Sequence, residues 1–488
     1  MNAYLLALDQ GTTSTRAILF DAQGRIHDIA QKELEVFYPE NGWVEQDAAR
    51  IWADSREVLD QVIARAPGRI AGLGITNQRE TTVLWNRRTG EPVCRAIVWQ
   101  DRRTAEHCRL LQEGGHEPRV REKTGLLLDP YFSGTKIRWA FENVPGLDDL
   151  AEKGDLAFGT IDSWLIWKLT GGKVHATDAT NASRTLLMNL HTRQWDPELL
   201  DLLRVPSGIM PEIRDCASDF GTAEIAGTSL PIAGVAGDQQ AALIGQACFS
   251  PGMVKSTYGT GCFALMNTGE KACLSEHRLL STPAYVLNGE CSYALEGAIF
   301  AAGAAIQWLR DGLGIIATAS ESETLAASLQ DNGGVYMVPA FTGLGAPHWN
   351  PYARAVIAGL TRGSGKAHLA RAALEAQAYQ TCDLLRAMQA DTGQDIREIR
   401  VDGGLVANQF MTRFMADILN VPVLIPEVTE TTALGAAYLA GLQQGVYADL
   451  QDIADKWVLN RCFEPSMSPE HRMDNLEGWE GAIRKTLS

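Results

Sequence analysis

The chain has 488 residues, more than one hydrophobic core commonly supports, so two domains of similar size are expected. With 45% apolar and 21% charged residues it has the make-up of a soluble globular protein, and a net charge of −16 argues against nucleic acid or an anionic membrane as its main partner. Nine scattered cysteines with no Cys-x-x-Cys suit reduced thiols in a cytoplasmic protein; a signal peptide is not expected, and no apolar run approaches the ~18 residues of a spanning segment.

The chain opens on an apolar strand, Tyr4 to Leu8, that runs into Asp9-Gln-Gly-Thr-Thr-Ser-Thr-Arg16 and turns strand-like again at Ala17 to Phe20. These are the parts of a phosphate site on a β-hairpin. Asp9 could hold Mg²⁺, Gly11 lets backbone N–H groups approach phosphoryl oxygens, Thr12, Thr13 and Ser14 supply hydroxyls, and Arg16 neutralises charge. A plain strand, turn and strand with a Thr-rich turn explains this segment alone equally well. A second strand is expected from Ile26 to Val36, then a helix from about Asp47 with Ile51, Trp52, Val58, Leu59 and Val62 on one face, then a strand at Ile70 to Thr76.

Pro231 to Gln240 is expected as a short buried strand ending in Gly237 and Asp238, followed by a small-residue helix from Ala241 to Ala247. Met253 to Met266 repeats the strand, Gly/Thr turn and strand of the opening, so a second domain should begin as the first did. Ser250-Pro-Gly252 marks the boundary, dividing the chain into 1–247 and 248–488 with a cleft between them. Ile399 to Gly404 is a strand ending in Asp and two glycines. It feeds a helix with Phe410, Met411, Phe414, Met415 and Ile418 as a core stripe, and the double glycine suits either close approach to a nucleotide or a flexible helix start.

Three other motifs fail on inspection. Gly365-Lys366 lacks both the glycine five places earlier and the following Ser or Thr of a P-loop. Gly259 to Ala264 fits a loose Gly-x-Gly-x-x-Ala fingerprint, but strand rather than helix continues from it. The nine histidines form no His-x-x-x-His pair and no cluster with cysteine, so zinc or haem is not expected.

Taken in order, Asp9 to Ser14, Gly42-Trp-Val-Glu-Gln-Asp47, Asn77-Gln-Arg-Glu-Thr81, Val98-Trp-Gln-Asp-Arg-Arg103, Tyr131-Phe-Ser-Gly-Thr-Lys136, Gly237-Asp-Gln-Gln240 and Tyr258-Gly-Thr-Gly-Cys-Phe263 resemble the glycerol kinases among the FGGY carbohydrate kinases, over about residues 4–445. Tyr131 to Asn143 and Ala355 to Glu375 resemble the two family signatures, although Ala140 stands where a larger apolar residue is usual. The resemblance implies two actin-like (ribonuclease H-like) α/β domains, each with a mixed five-stranded sheet, closing on ATP, Mg²⁺ and glycerol. It implies transfer of a phosphoryl group from ATP to a terminal hydroxyl, giving sn-glycerol 3-phosphate.

Residue by residue, it implies that Thr12, Thr13, Ser14 and Arg16 bind the β- and γ-phosphates while Asp9 orients the metal. Thr260 and Gly261 grip from the other side, and Gly303, Gln307, Gly404 and Asn408 border the nucleotide. Asp238 is the expected base, since an alcohol is too weak an acid to ionise near neutrality, although a helix N-cap would also suit it. Arg79, Glu80, Asp238 and Gln239 would pair the three hydroxyls, with Trp99, Tyr131 and Phe263 on the carbon face. The Arg79-Glu80 pair is the strongest pointer to glycerol over longer sugars, though a surface ion pair would look the same in sequence.

Family members are often dimers or tetramers, so a homo-oligomer is expected. Some bacterial members bind fructose 1,6-bisphosphate through a Gly-Thr-Arg loop; here the matching residues are Gly227-Thr-Ser229, and no histidine lies between Asp219 and Pro231 for phosphorylation, so both controls are expected to be absent or weak. A kinase of a longer polyol or ketose, a bare ATPase of the same fold and a nicotinamide-dependent oxidoreductase are the competing readings.

Overall fold

The computed structural model describes residues 3–350 and 352–488. The first half is built on six strands, β1 (Tyr4–Gln10), β2 (Ser14–Asp21), β3 (Ile26–Glu33), β4 (Ile70–Asn77), β5 (Thr222–Ile225) and β6 (Thr228–Gly237), in the order β5-β6-β4-β1-β2-β3. β1 runs antiparallel to β2, which sets Asp9 opposite Arg16, and parallel to β4, which in turn lies parallel to β6. The second half repeats this plan with β7 (Val254–Tyr258), β8 (Cys262–Gly269), β9 (Leu280–Leu287), β10 (Glu290–Ile299), β11 (Ile399–Asp402), β12 (Val423–Pro426) and β13 (Leu459–Phe463), in the order β9-β10-β8-β7-β11-β12-β13.

Five strands correspond in the two sheets, a three-strand antiparallel meander continued by two parallel strands. The sheets are larger than the expected five, because β5 is added at one edge of the first, and β9 and β13 at the two edges of the second. Two of the additions are hairpins whose turns adopt left-handed backbone at both central residues: Ala226-Gly227 (φ 49° and 74°) joins β5 to β6, and Asn288-Gly289 (φ 53° and 79°) joins β9 to β10. Such turns match the right-handed twist of paired strands.

Strand β1 is buried on both faces, which is why its sequence is continuously apolar rather than alternating. Leu6 and Leu8 pack with Ala17, Leu19, Leu73 and Ile75 in the first-half core. Leu5 and Ala7, with Ile18 and Phe20, face a cluster that also takes Leu243 and Ile244 and, from the second half, Leu434, Ala437 and Leu439. The halves therefore share a core. It is closed by helices Asp238–Gly245 and Thr431–Gln443, which touch through glycines: a Cβ on Gly245 would lie 1.9 Å from the Thr431 carbonyl oxygen, and one on Gly435 1.8 Å from that of Ala241.

Helix Ala48–Arg65 begins where expected, with the Asp47 side chain accepting from the Ala49 and Arg50 amides, and it buries Ile51, Val58, Leu59 and Val62. Helix Gln409–Leu419 buries Met411, Phe414, Met415 and Ile418. β3 stops at Glu33 rather than Val36, and the helix expected from Ala241 starts three residues earlier, at Asp238. Gly237 takes the extended cap conformation, so Asp238 stands in the first turn and is not the N-cap.

Candidate active site between the halves

The turn between β1 and β2 carries Gly11, Thr12 and Thr13, closed by the Gly11 amide donating to the Ser14 carbonyl at 2.9 Å. Asp9 is buried at the end of β1 and pairs with Arg16, whose other nitrogen meets Glu430 of the second half at 2.5 Å. Burial raises the Asp9 carboxyl above its ordinary pKa, and Arg16 pulls it partway back. The matching turn between β7 and β8 holds Gly259, Thr260 and Gly261. Helix Gly303–Gln307 starts directly on it: the Gly303 amide donates to the Gly259 carbonyl at 3.0 Å, and a Cβ on Gly303 would lie 2.7 Å from that oxygen. Gly403 backs onto Tyr258, where a Cβ would meet its carbonyl oxygen at 2.4 Å, whereas Gly404 faces open space. Asn408 caps helix Gln409–Leu419 through the Met411 amide, and Gln307 is exposed at the end of its helix. Three glycine-bearing segments thus meet at the second hairpin.

Between the hairpins lies a buried charge cluster. Arg79 grips Glu296 of β10 with two nitrogens, at 2.5 and 2.9 Å, and reaches Gln240 at 3.2 Å. Its Nε lies 3.2 Å from Asp238 Oδ1 and 3.8 Å from Glu80 Oε1. Arg184 completes the cluster, donating to Glu80 at 2.6 Å and to Glu296 at 3.0 Å. Two guanidiniums face two glutamates, all essentially without solvent. Burial works against an ionised Glu296, yet Arg184 and Arg79 bring its carboxyl down to about 2. At Glu80 and Asp238 burial prevails and the carboxyls are raised, against the pull of Arg184 and Arg79 on the first and of Arg79 and Lys255 on the second. Glu80 also has left-handed backbone (φ 60°), held by its carbonyl accepting from Ser133 at 2.9 Å and Thr82 at 3.2 Å. Strain of this kind, ~1–3 kcal/mol, persists where surrounding bonds fix it.

The aromatic residues expected on a carbon face do come together. Trp99 meets Tyr131 edge-on at 5.6 Å between centroids and Phe263, from the second half, at 6.3 Å, while Trp99 Nε1 donates to Thr12 Oγ1 at 2.9 Å. This wall therefore touches the first hairpin. Beside it, both Nη groups of Arg79 donate to protein acceptors. The longest of these hydrogen bonds, 3.5 Å to Tyr131 Oη, is the one most readily exchanged for another hydroxyl. At this site Glu80 Oε2, Asp238 Oδ2 and Gln239 Nε2 have no hydrogen-bond partner among the described residues, and neither does Arg184 Nη1, which is fully buried within the cluster.

Sequence reasoning missed Arg184, Glu296, Lys255 and Glu430. Glu296 and Lys255 each left a signal, a lone charge inside an otherwise apolar strand, in Tyr293-Ala-Leu-Glu-Gly-Ala-Ile299 and in Met253-Val-Lys-Ser256. Among the described residues no three His, Cys, Asp or Glu side chains could hold an ion by themselves. One buried carboxylate, Asp9, with hydroxyls on the adjoining turn still fits Mg²⁺, which commonly binds one or two carboxylates and takes its other ligands from phosphates and water.

Residues 4–245 match the N-terminal domain of the FGGY family of carbohydrate kinases, and residues 254–443 match its C-terminal domain. Over 487 residues the chain is 58% identical to glycerol kinase of Alcanivorax borkumensis, covering 99% of this chain and 98% of that one. It is also 58% identical to glycerol kinase of Rhodospirillum centenum over 489 residues, 99% of this chain and 98% of that one. Among solved structures, Plasmodium falciparum glycerol kinase with ADP superposes with a TM-score of 0.94 at 35% identity, covering 100% of this chain and 99% of that one. Xylulose kinase of Rhodospirillum rubrum, 23% identical, shares the fold with a TM-score of 0.85 over 99% of each chain.

Proposed function

We propose that this chain, which belongs to the FGGY family of carbohydrate kinases, phosphorylates glycerol at a terminal hydroxyl with ATP, giving sn-glycerol 3-phosphate and ADP. The observation that carries the choice of acceptor is the trio of free polar atoms, Glu80 Oε2, Asp238 Oδ2 and Gln239 Nε2, beside the Trp99, Tyr131 and Phe263 wall. Three polar atoms under an aromatic cover suit a three-carbon triol. The names of the A. borkumensis and P. falciparum relatives support the same substrate, and the ADP in the latter's title supports the nucleotide.

Asp238 accepts the hydroxyl proton as the new oxygen–phosphorus bond forms and the bond to the departing ADP oxygen breaks. Its side chain is 29% exposed, open enough to meet a substrate and enclosed enough to be held by Arg79. Thr12, Thr13, Ser14 and Arg16 on one hairpin and Thr260 and Gly261 on the other align the β- and γ-phosphates, and alignment with charge stabilisation is most of what phosphoryl transfer asks of a protein. Gly303, Gln307, Gly404 and Asn408 border the rest of the nucleotide. Mg²⁺ at Asp9 would neutralise phosphate charge.

The same reading divides the chain into a substrate-binding half, 1–247, and a nucleotide-binding half, 248–488, supported by family matches that end at 245 and resume at 254. Nine free thiols support the cytoplasm as its compartment, and no described helix is long and apolar enough to cross a membrane. A homo-oligomer is the expected assembly, to be read by light scattering. The function is tested by coupled ADP release with Mg-ATP and, in parallel, no acceptor, glycerol, dihydroxyacetone, erythritol, xylulose or gluconate. Glycerol should far exceed the rest; preference for a longer sugar overturns the pocket, and acceptor-independent hydrolysis alone favours the bare ATPase.

A further inference from the structure

Lys255 lies on β7 in the second half, with no solvent exposure, and its ammonium reaches across to the first half. Nζ donates to Gln239 Oε1 at 2.5 Å, to Thr257 Oγ1 at 3.1 Å and to the Phe263 carbonyl at 3.4 Å. An ammonium has three N–H groups and no acceptor, so all three are used and the lysine has none left for substrate. The same bond settles which way the Gln239 amide points: its oxygen must face Lys255, which turns the Nε2 donors away from Lys255 and leaves them without a partner among the described residues.

We propose that Lys255 is a positioning residue for the acceptor substrate: it locks the Gln239 amide as a donor facing the pocket, holds the Phe263 backbone and sets a positive charge beside Asp238. The inference rests on the reading of this site as an acceptor-alcohol pocket. The charged and titratable groups that act on Lys255 or feel its charge are Asp238 on helix Asp238–Gly245, Asp402 on β11, Arg79 after β4, Glu296 on β10 and the thiols of Cys248 and Cys262, with the Gln239 amide bonded to it. Burial disfavours its charge, and Asp402 and Asp238 oppose that effect. A buried charge kept beside this many carboxylates is costly to hold without a task, and here it meets two residues of the pocket and stands next to a third.

One consequence is specific to this role. Lys255 and Arg79 are the cations that pull the Asp238 carboxyl down against burial, while Asp9 pushes it up. Without Lys255, Asp238 becomes harder to ionise, so the acid limb of kcat/KM for glycerol should move to higher pH. A lysine that served folding alone would leave that limb in place.

The test compares the full-length protein with Lys255→Met. The expected result is a glycerol KM raised ~tenfold or more, as for loss of a hydrogen bond involving a charged group, with an acid limb displaced upward and the KM for ATP changed less than ~twofold. A glycerol KM and acid limb both like the parent's overturn the proposal. A parent that does not turn over glycerol overturns the function reading instead, so the two failures are distinguishable. Should Lys255→Met not fold, Gln239→Glu decides the matter, since it offers Lys255 an oxygen but has no N–H for the pocket. Its glycerol KM should rise ~tenfold, and an unchanged KM overturns the proposal.

Discussion

Glu296→Gln isolates the charge balance of the buried cluster. Arg79 and Arg184 face Glu80 and Glu296, and Glu296 alone accepts three of their hydrogen bonds, at 2.5, 2.9 and 3.0 Å. Glutamine keeps the shape, but it removes the negative charge and points N–H groups at a guanidinium, leaving a net positive charge with no solvent to screen it. Breaking a buried pair by removing one partner costs ~3–5 kcal/mol, a large share of the ~5–15 kcal/mol that stabilises a typical domain. At roughly 2–4 °C per kcal/mol for a unit of this size, the unfolding midpoint should fall by on the order of 10 °C in a calorimetric scan. Turnover should fall as well, because Arg79 loses the clamp that aims it at Asp238. Pairing Glu296→Gln with Arg184→Met restores the balance, so the double variant should lose less than the two single losses summed. A Glu296→Gln protein within ~1 kcal/mol of the parent would refute this accounting.

Asp238→Asn should reduce turnover by roughly 10²–10⁴-fold, the usual worth of a general base, while glycerol binding stays detectable by calorimetry; turnover near the parent rate removes Asp238 from that role. Because burial raises the Asp238 carboxyl and the base must be ionised, activity should be lost as pH falls through a value above the ordinary aspartate range, and an acid limb at or below that range counts against the assignment. Gly435→Ala places a methyl 1.8 Å from the Ala241 carbonyl oxygen, so the two helices must separate; the loss should be ~1–3 kcal/mol or more in urea denaturation, and an unaffected midpoint would show that this contact can relax. Millimolar fructose 1,6-bisphosphate should leave activity unchanged, since Ser229 stands where a cation would be needed and its hydroxyl bonds Glu224 at 2.8 Å; strong inhibition defeats this.

Much of the fold was legible because it depends on local pattern. The Asp47 cap, the apolar face of helix Ala48–Arg65 and the paired Gly/Thr hairpins are set by residues a few places apart. The added strand β9 could have been read as well, from Asn288-Gly289 between two apolar runs. The hairpin residues, the aromatic wall and Asp238 were named from sequence, and the structure brings them together.

Sequence alone determined the strand and hairpin plan of each half and the chemistry of the motifs, since propensity, turn geometry and functional groups belong to the residues themselves. Tertiary structure decided which of those groups are free. Arg79 and Glu80 look in sequence like any adjacent ion pair, yet the fold places Glu296 217 residues from Arg79 in sequence and Arg184 104 residues from Glu80, and removes water from all four. Lys255 likewise takes its meaning from Gln239 across the boundary between the halves. Contacts of this kind carry no periodicity along the chain, and they form only when two separately patterned sheets pack and exclude solvent between them.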